Sequence, residues 1–524
     1  MQDGKIYTVA TGSGTTGEEK KLAFPEIAVG IDIGTSQCSV AVWNGSQVEI
    51  LKNKRNQKLI KSFVTFKDES PSSRVTSELS RERELLFGDT IFNVKHLIGR
   101  VDTDPIVVRA SKNLPFLVQT MDIGVRPFIA ASVNNIWRST SPEEVLAMFL
   151  VELRLMTETH LKRPIRNVRA CAMAGLHVLR LMPEPTAVAL LYAQQQHKAF
   201  QETMGSGSEK VALIFNMGAG YCDVAVTATA GGVSEIKAVA GSTIGGEDLL
   251  QNMMCHLLPD SENIFKNHGV KEIKSMALLR VATHDAIHRL SSQINFQVDV
   301  DLGDGLKICK VVDRAEFEEV NKQVFGKCES LIIQCLHDAK VKVEDVNDVI
   351  IVDGCSYIPR VRNLVTKICE VTEVYKGIIN PLEGAVCGAA IEGAVALGII
   401  DPFGNLDLLT IQATPHAIGI RADGNKFVPV IPRNTRIPAR KDLLFTTIYD
   451  NQTATLILVY EENQLLGYIK ITGIPAARKG VPEINVFSVM EVRMPMVDDG
   501  HGWCAEALNR TYGGTMDLVT LKKA

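Results

Sequence analysis

Two stretches of this chain repeat one another, and the repeat restricts the fold more than any other feature. Gly30-Ile31-Asp32-Ile33-Gly34-Thr35-Ser36-Gln37-Cys38-Ser39-Val40-Ala41-Val42 matches Ile214-Phe215-Asn216-Met217-Gly218-Ala219-Gly220-Tyr221-Cys222-Asp223-Val224-Ala225-Val226. Each reads as strand, glycine-containing tight turn, strand. Such a hairpin exposes backbone N–H groups at its tip. Two facing tips can grip a polyphosphate from opposite sides, because clustered amides form an anion-binding nest. Two unrelated glycine turns are the plain alternative; the match through both strands and both turns favours duplication.

The chain has 524 residues, which argues for at least two domains. Its 46% hydrophobic and 22% charged residues are ordinary for a soluble globular protein. The net charge of -4 supplies no basic field for nucleic acid or anionic lipid, so neither is an expected partner. Lys52-Asn53-Lys54-Arg55 reads as solvated surface. No apolar run is long enough to span a bilayer. The start of the chain, residues 1–25, is polar, has no apolar signal core and reads as a flexible tail. Eleven scattered cysteines without Cys-x-x-Cys spacing point to a reducing compartment, hence a cytoplasmic or nuclear location.

Apolar β-branched runs alternate with helix-period segments through most of the chain, the pattern of an α/β architecture. Ser141-Pro142-Glu143-Glu144 opens a helix with Ser141 as N-cap, Pro142 at the first position and Glu144 closing the capping box. Val145, Met148, Phe149, Leu153 and Met156 supply its buried face. Asp313 to Ala339 reads as one longer helix, and Pro381 to Leu397 as a small-residue helix suited to close packing. The texture changes near Asp401-Pro402-Phe403-Gly404, beyond which short alternating runs and turn signals indicate a compact all-β unit.

Asp32-Ile33-Gly34-Thr35 resembles the first phosphate loop of the actin, sugar-kinase and heat-shock-chaperone superfamily, and Asn216 to Asp223 resembles the second. Phe92-Asn93-Val94-Lys95-His96-Leu97-Ile98-Gly99-Arg100 and Pro183-Glu184-Pro185-Thr186-Ala187 narrow the likeness to the seventy-kilodalton heat-shock chaperones. Gly245-Gly246-Glu247-Asp248 and Gly354-Cys355-Ser356-Tyr357-Ile358-Pro359 do the same. The resemblance runs with gaps from about Ile27 to Pro482 and is nearest to a divergent plant cytosolic member. It implies an actin-like (ribonuclease H-like) two-lobe ATPase domain over 26–400, a hydrophobic linker over 401–411, and an all-β peptide-binding sandwich over 412–524.

The same resemblance implies ATP or ADP with Mg²⁺ as cofactors. Asp32, Glu184 and Asp223 would hold Mg²⁺ through water, as a hard cation that keeps its waters prefers. Lys95 would place a cation beside the transferred phosphoryl group. These four are the candidate catalytic residues. Gly34, Thr35, Ser36 and Gln37, with Gly218, Ala219 and Gly220, would cradle phosphates. Gly246, Glu247, Ser291 and Gly354 complete the nucleotide contacts. Taken singly, Asp32 is a turn former, Lys95 a surface cation and Glu184 a helix N-terminal acid; the joint spacing is what argues for a site.

Departures from the family pattern are informative. Asn216 stands where the family has a carboxylate, and Tyr221 where it has a small hydroxyl residue. One charge near a cation is worth roughly 4 kcal/mol at about 4 Å and an effective dielectric of about 20, so hydrolysis is expected to be weakened. His284, Ile287 and His288 replace a Glu, a Lys and an Arg of the base clamp; Ser291 remains. Pro164-Ile165-Arg166-Asn167-Val168 runs directly into Arg169-Ala170-Cys171-Ala172-Met173-Ala174-Gly175, where the family has an inner strand and much of a helix. Either the sheet re-forms without that strand, or the sequence is a splice or gene-model variant, the preferred reading.

Asn405-Leu406-Asp407-Leu408-Leu409-Thr410 resembles the family's interdomain linker, which docks on the ATPase domain in one nucleotide state; a first strand of the β unit is the alternative. Pro432-Arg433-Asn434-Thr435, Leu465 to Pro475 and Lys479-Gly480-Val481-Pro482 match the substrate domain. Ile418, Ile420, Phe445, Thr455 and Ile457 would line a groove for an extended apolar peptide, or simply form sandwich core. After Ile484-Asn485-Val486 the match fails, so closing strands and a helical lid are expected to be missing. The implied function is an ATP-dependent chaperone of unfolded segments, served by J-domain co-chaperones and nucleotide-exchange factors. A non-enzymatic scaffold is the alternative, and a small-metabolite kinase finds no sugar-site acid–base pair.

Overall fold

The computed structural model describes residues 29–66, 90–119, 125–133, 136–162, 180–203, 208–265, 269–377, 380–399, 401, 404, 406–422, 425–462, 464–490 and 519–522. The tail 1–25, the junction Pro164–Gly175 and residues 491–518 fall outside them.

Both repeated segments fold as hairpins, and their registers coincide. Asp32 opposes Ser39 and Ile33 opposes Cys38 in the first; Asn216 opposes Asp223 and Met217 opposes Cys222 in the second. The first hairpin is extended by Val48–Ile50 and Ile60–Lys61. The second lies inside a six-stranded sheet ordered Asp348–Val352, Lys210–Met217, Cys222–Ala230, Val233–Ser242, Leu409–Ala413, Arg436–Ile437. The two diverge at one edge. Asp348–Val352 runs parallel to Lys210–Met217, with Ile214 against Ile350, whereas Val29–Ile33 has no such neighbour among the described residues.

Two helices join the sheets. Gly384–Ala396 lies on the first sheet so closely that a Cβ on Gly30 would stand 2.3 Å from the Ala390 nitrogen. Glu184–Thr203 covers the second, burying Val188, Ala189 and Tyr192 against Ile214, Ala225 and Ile350. Where the helices cross, a Cβ on Gly388 would fall 1.8 Å from the Ala187 carbonyl oxygen. The small residues read from the sequence therefore set the helix separation. Each sheet has its own core, Val40, Leu51, Phe116, Phe149 and Leu153 for the first, Leu213, Phe215, Met253, Leu279 and Phe325 for the second.

The expected helix after Ser141 runs Pro142–Leu161 with its capping box complete. The expected single helix from Asp313 divides into Arg314–Val320 and Lys322–Ala339. Asn321 is the break: fully buried, it spends its carboxamide N–H on the Phe317 carbonyl and its oxygen on Asn252, competing with the helical ladder.

The carboxy-terminal unit has a third core of Ile418, Ile420, Val430, Ile431, Ile457, Val459, Ile471 and Ile484 between two sheets. One holds Lys426–Ile431, Ile418–Ala422, Ala454–Glu461 and Gln464–Thr472. The other corrects the expectation that closing strands are missing: Ala439–Thr446 pairs with Glu483–Met490, with Phe445 opposite Ile484, and Val519–Lys522 pairs with that strand in turn. The edge was invisible in sequence because a long intervening segment separates its strands.

The linker is both docked and a strand. Leu406 and Leu408 are buried with Trp43, Leu190, Ile391 and Ala394. Leu409–Ala413 pairs in parallel with Val233–Glu235 and antiparallel with Arg436–Ile437, so one strand belongs to both units. Asn434 accepts the Val239 N–H at 3.1 Å, and Arg436 ion-pairs with Glu235 across the same seam.

Candidate functional site

The two hairpin tips meet. The Gly34 position leaves no room for a side chain, since a Cβ would stand 2.2 Å from the Gln37 carbonyl oxygen. A Cβ on Gly220 would meet Thr35 Oγ1 at 2.5 Å and His96 Nε2 at 2.0 Å. Thr35 is buried in this contact, while Ser36 and Gln37 are exposed. The second tip is closed by Gly218 N–H donating to the Tyr221 carbonyl at 3.0 Å.

Beneath the tips the two sheets and the crossing helix bring four carboxylates around one ammonium. Asp32 is the last residue but one of the first strand of its hairpin, Asp223 the second residue of the second strand of the other, and Glu184 opens the crossing helix. Lys95 comes from the turn Val94–His96, aimed by Asn93 in a left-handed conformation. Its Nζ lies 3.1 Å from Glu184 Oε1. Asn216 Nδ2 donates to the other oxygen, Glu184 Oε2, at 2.7 Å. Burial opposes the Lys95 charge, yet the Glu184 carboxylate holds its pKa above the ordinary lysine range.

The fourth carboxylate, Asp353, was missed in the sequence. It sits at the carboxyl end of the parallel strand Asp348–Val352, a common address for a binding residue in an α/β sheet. An acid closing an apolar strand was the available signal. Its φ is +70°, and its Oδ1 accepts the Gly354 N–H at 2.7 Å. Burial, then Glu184, pushes its carboxyl up to about 6. The same causes push Asp223 up to about 7. Burial, then Glu184 and Asp353, holds Asp32 well above the carboxylate range. Each acid is raised partly by its neighbours. A divalent cation would relieve that repulsion, so the residues fit Mg²⁺. Among the described residues no group of three His, Cys, Asp or Glu is disposed to ligate a metal directly.

The remaining candidates divide. Gly246 N–H donates to the Gly218 carbonyl at 2.9 Å and Glu247 N–H to the Ala219 carbonyl at 2.8 Å, so both amides support the second tip. The Glu247 carboxylate pairs with Arg280. Ser291 bonds back to the Ile287 carbonyl at 3.1 Å, and Gly354 faces open space. His284 and His288 lie side by side on one helix face, with ring centroids 4.5 Å apart and planes tilted at 55°. In the β unit, Ile418, Ile420 and Ile457 are buried core, whereas Phe445 and Thr455 are partly exposed. The cleft brings together Asp32, Lys95, Glu184, Asp223 and the two tips, whereas Ile418, Ile420, Ile457 and Phe445 pack into the core cluster of the β unit.

A family model described as Hsp70 protein matches residues 28–493. The chain belongs to the Hsp70 family. It is therefore a chaperone of that family, whose members bind ATP and ADP with Mg²⁺ and engage unfolded polypeptides and co-chaperones. This Hsp70 is 63% identical over 569 residues to "Heat shock 70 kDa protein 8" of Arabidopsis thaliana, covering 99% of both chains. The alignment of 569 positions against a chain of 524 leaves at least 45 without a counterpart here. It is 32% identical over 486 residues to "Heat shock 70 kDa protein" of Neurospora crassa, covering 88% of this chain and 73% of the relative. To "Heat shock cognate 70 kDa protein 3" of Dictyostelium discoideum it is 32% identical over 487 residues, covering 88% and 75%. Among the described residues no helix of this Hsp70 is long and apolar enough to cross a membrane.

Proposed function

We propose that this Hsp70 binds adenine nucleotide in an actin-like, two-lobe domain over 26–400, hydrolyses ATP weakly, and passes the nucleotide state through 401–411 to a peptide-holding β domain over 412–524. Asp32, Glu184 and Asp223 hold Mg²⁺ through water, Lys95 offers its ammonium to the terminal phosphoryl group, and the tips at Gly34–Gln37 and Gly218–Gly220 cradle the inner phosphates. Bound Mg²⁺ supplies charge neutralisation at the phosphates.

The observation that carries weakened hydrolysis is the Asn216–Glu184 hydrogen bond of 2.7 Å. A neutral donor stands where a second acid would face the cation. Glu184 is then held by Asn216 on one oxygen and Lys95 on the other, which draws both the acid and the ammonium away from phosphate and cation. Coupling is supported by the shared strand Leu409–Ala413, which cannot leave one sheet without disturbing the other. Peptide holding rests on Phe445 and Thr455 beside the buried isoleucines, with J-domain co-chaperones and exchange factors as the partner classes.

Calorimetric titration of the full chain with Mg²⁺-ATP, beside Lys95→Ala, tests the reading. Saturable binding weakened by the substitution is the expected result; a folded chain indifferent to millimolar nucleotide would reject it. The altered base clamp at His284, Ile287 and His288 favours a second reading, a non-enzymatic binding module, in which peptide binding would ignore ATP.

A further inference from the structure

Tyr221 stands beside Lys95, the ammonium that the nucleotide reading assigns to a terminal phosphoryl group. It follows Gly220 at the second tip, and its ring stands edge-on to the His96 imidazole, centroids 4.9 Å apart and planes at 80°. The Lys95 Nζ lies 5.3 Å from the ring centroid. The phenol oxygen is 3.5 Å from the Lys95 carbonyl oxygen, and His96 Nε2 is 3.1 Å from the Gly220 carbonyl oxygen. The ring is therefore wedged against the short turn that presents the ammonium, and the contacts around it tie that turn to the second tip.

The Lys95 ammonium has Glu184 on one side and the Tyr221 face nearby. A phosphoryl group bonding to Nζ must approach within about 3 Å, and there it competes with the ring for space. It also meets an ammonium already neutralised by Glu184, beside Asp32, Asp223 and Asp353. The two inner phosphates face neither obstacle, because backbone amides at the hairpin tips can hold them without Lys95.

We propose that Tyr221 selects for a nucleoside diphosphate over a triphosphate in this cleft. The inference rests on the reading of the cleft as a nucleotide site and names the ligand class that site prefers. Steric overlap and spent charge act together on the terminal phosphoryl group alone, so the discrimination comes from a rejected ligand rather than from a new contact to the favoured one. The ring acts through its bulk and its contacts with Lys95 and His96; the hydroxyl makes only the long 3.5 Å approach.

The test is calorimetric titration of the full chain with Mg²⁺-ADP and Mg²⁺-ATP, in the parent protein, Tyr221→Phe and Tyr221→Thr. The parent is expected to bind the diphosphate at least about tenfold more tightly, and Phe to keep that ratio. Thr should bring the ratio near unity by gaining ATP affinity while ADP affinity changes little. Equal affinity for both nucleotides in the parent would overturn the proposal and leave the nucleotide site standing. So would an undiminished preference in a folded Thr variant. Binding of neither nucleotide to the folded parent would remove the nucleotide site and this proposal together. Should the Thr variant fail to fold, the parent and Phe ratios still decide, since loss of the preference in Phe would assign it to the hydroxyl and overturn a role for the ring.

Discussion

The Arg433 guanidinium stands 2.9 Å from the Asp338 carboxylate, joining the β unit to the carboxyl end of the helix Lys322–Ala339. The same guanidinium donates to the Val239 carbonyl at 3.2 Å. With the shared strand Leu409–Ala413, these bonds make the seam between the units a continuation of the six-stranded sheet.

Arg433→Ala should therefore loosen the β unit without unfolding it. A half-exposed ion pair with a supporting backbone bond is worth about 1 kcal/mol. Calorimetry is expected to show the two units melting further apart in temperature, with an earlier proteolytic cut near the linker. Unchanged melting and unchanged cleavage would mean that the shared strand and the other seam contacts hold the units without Arg433.

Asn216→Asp exchanges a donor for an acid beside Glu184. Without Mg²⁺ the variant should lose about 1–3 kcal/mol, as a half-buried acceptor is left facing like charge. Millimolar Mg²⁺ should restore most of that loss, and single-turnover ATP hydrolysis should speed up by an order of magnitude or more. Thermal melts with and without Mg²⁺, alongside the turnover assay, read both effects.

Burial pushes Asp223 from an ordinary 3.8 up to about 7, and Asp353 up to about 6. The folded chain keeps protons that the unfolded chain has already released. Stability contributed by these groups is thus full below the ordinary carboxylate value and declines as pH rises towards about 7. Denaturant midpoints measured across that range should fall with rising pH, less steeply in Asp223→Asn, and Mg²⁺ should flatten the slope. A slope identical in parent and variant would contradict the assignment.

Gly388→Val should be severe. Its first new carbon would overlap the Ala187 carbonyl oxygen at 1.8 Å, and both atoms belong to helix backbone that cannot step aside cheaply. Overpacking of this kind costs about 1–3 kcal/mol and often more, so circular-dichroism melting should drop sharply or the folded yield should collapse. Gly326→Ala, where nothing lies within 4 Å, is the matched control and should melt slightly above the parent, because alanine favours a helix interior over glycine by about 1 kcal/mol.

The parts of this fold that were legible in the sequence are those encoded by nearby residues. The duplicated hairpins, the capped helix after Ser141 and the small-residue helix around Gly388 all depend on contacts a few residues apart, or on periodicity within one element. The change of texture near Asp401 marked the β unit for the same reason. Asn321 escaped notice because a single polar residue in a helical pattern is ordinary until its burial is known. Asp353 escaped because its importance comes from a strand pairing in parallel with one more than a hundred residues earlier.

By itself, the sequence determined the two glycine turns, the identities of Asp32, Lys95, Glu184 and Asp223, and the presence of Asn216 and Tyr221, which the resemblance reads as departures from the family pattern. Only the tertiary structure decided what those substitutions do. A carboxamide replaces a charge in either view, but its donation to Glu184, and the wedging of a tyrosine ring between an ammonium and an imidazole, arise where two hairpins from distant parts of the chain are brought tip to tip. Those forces act over a few ångströms, and distance along the chain says nothing about them until packing has closed the gap.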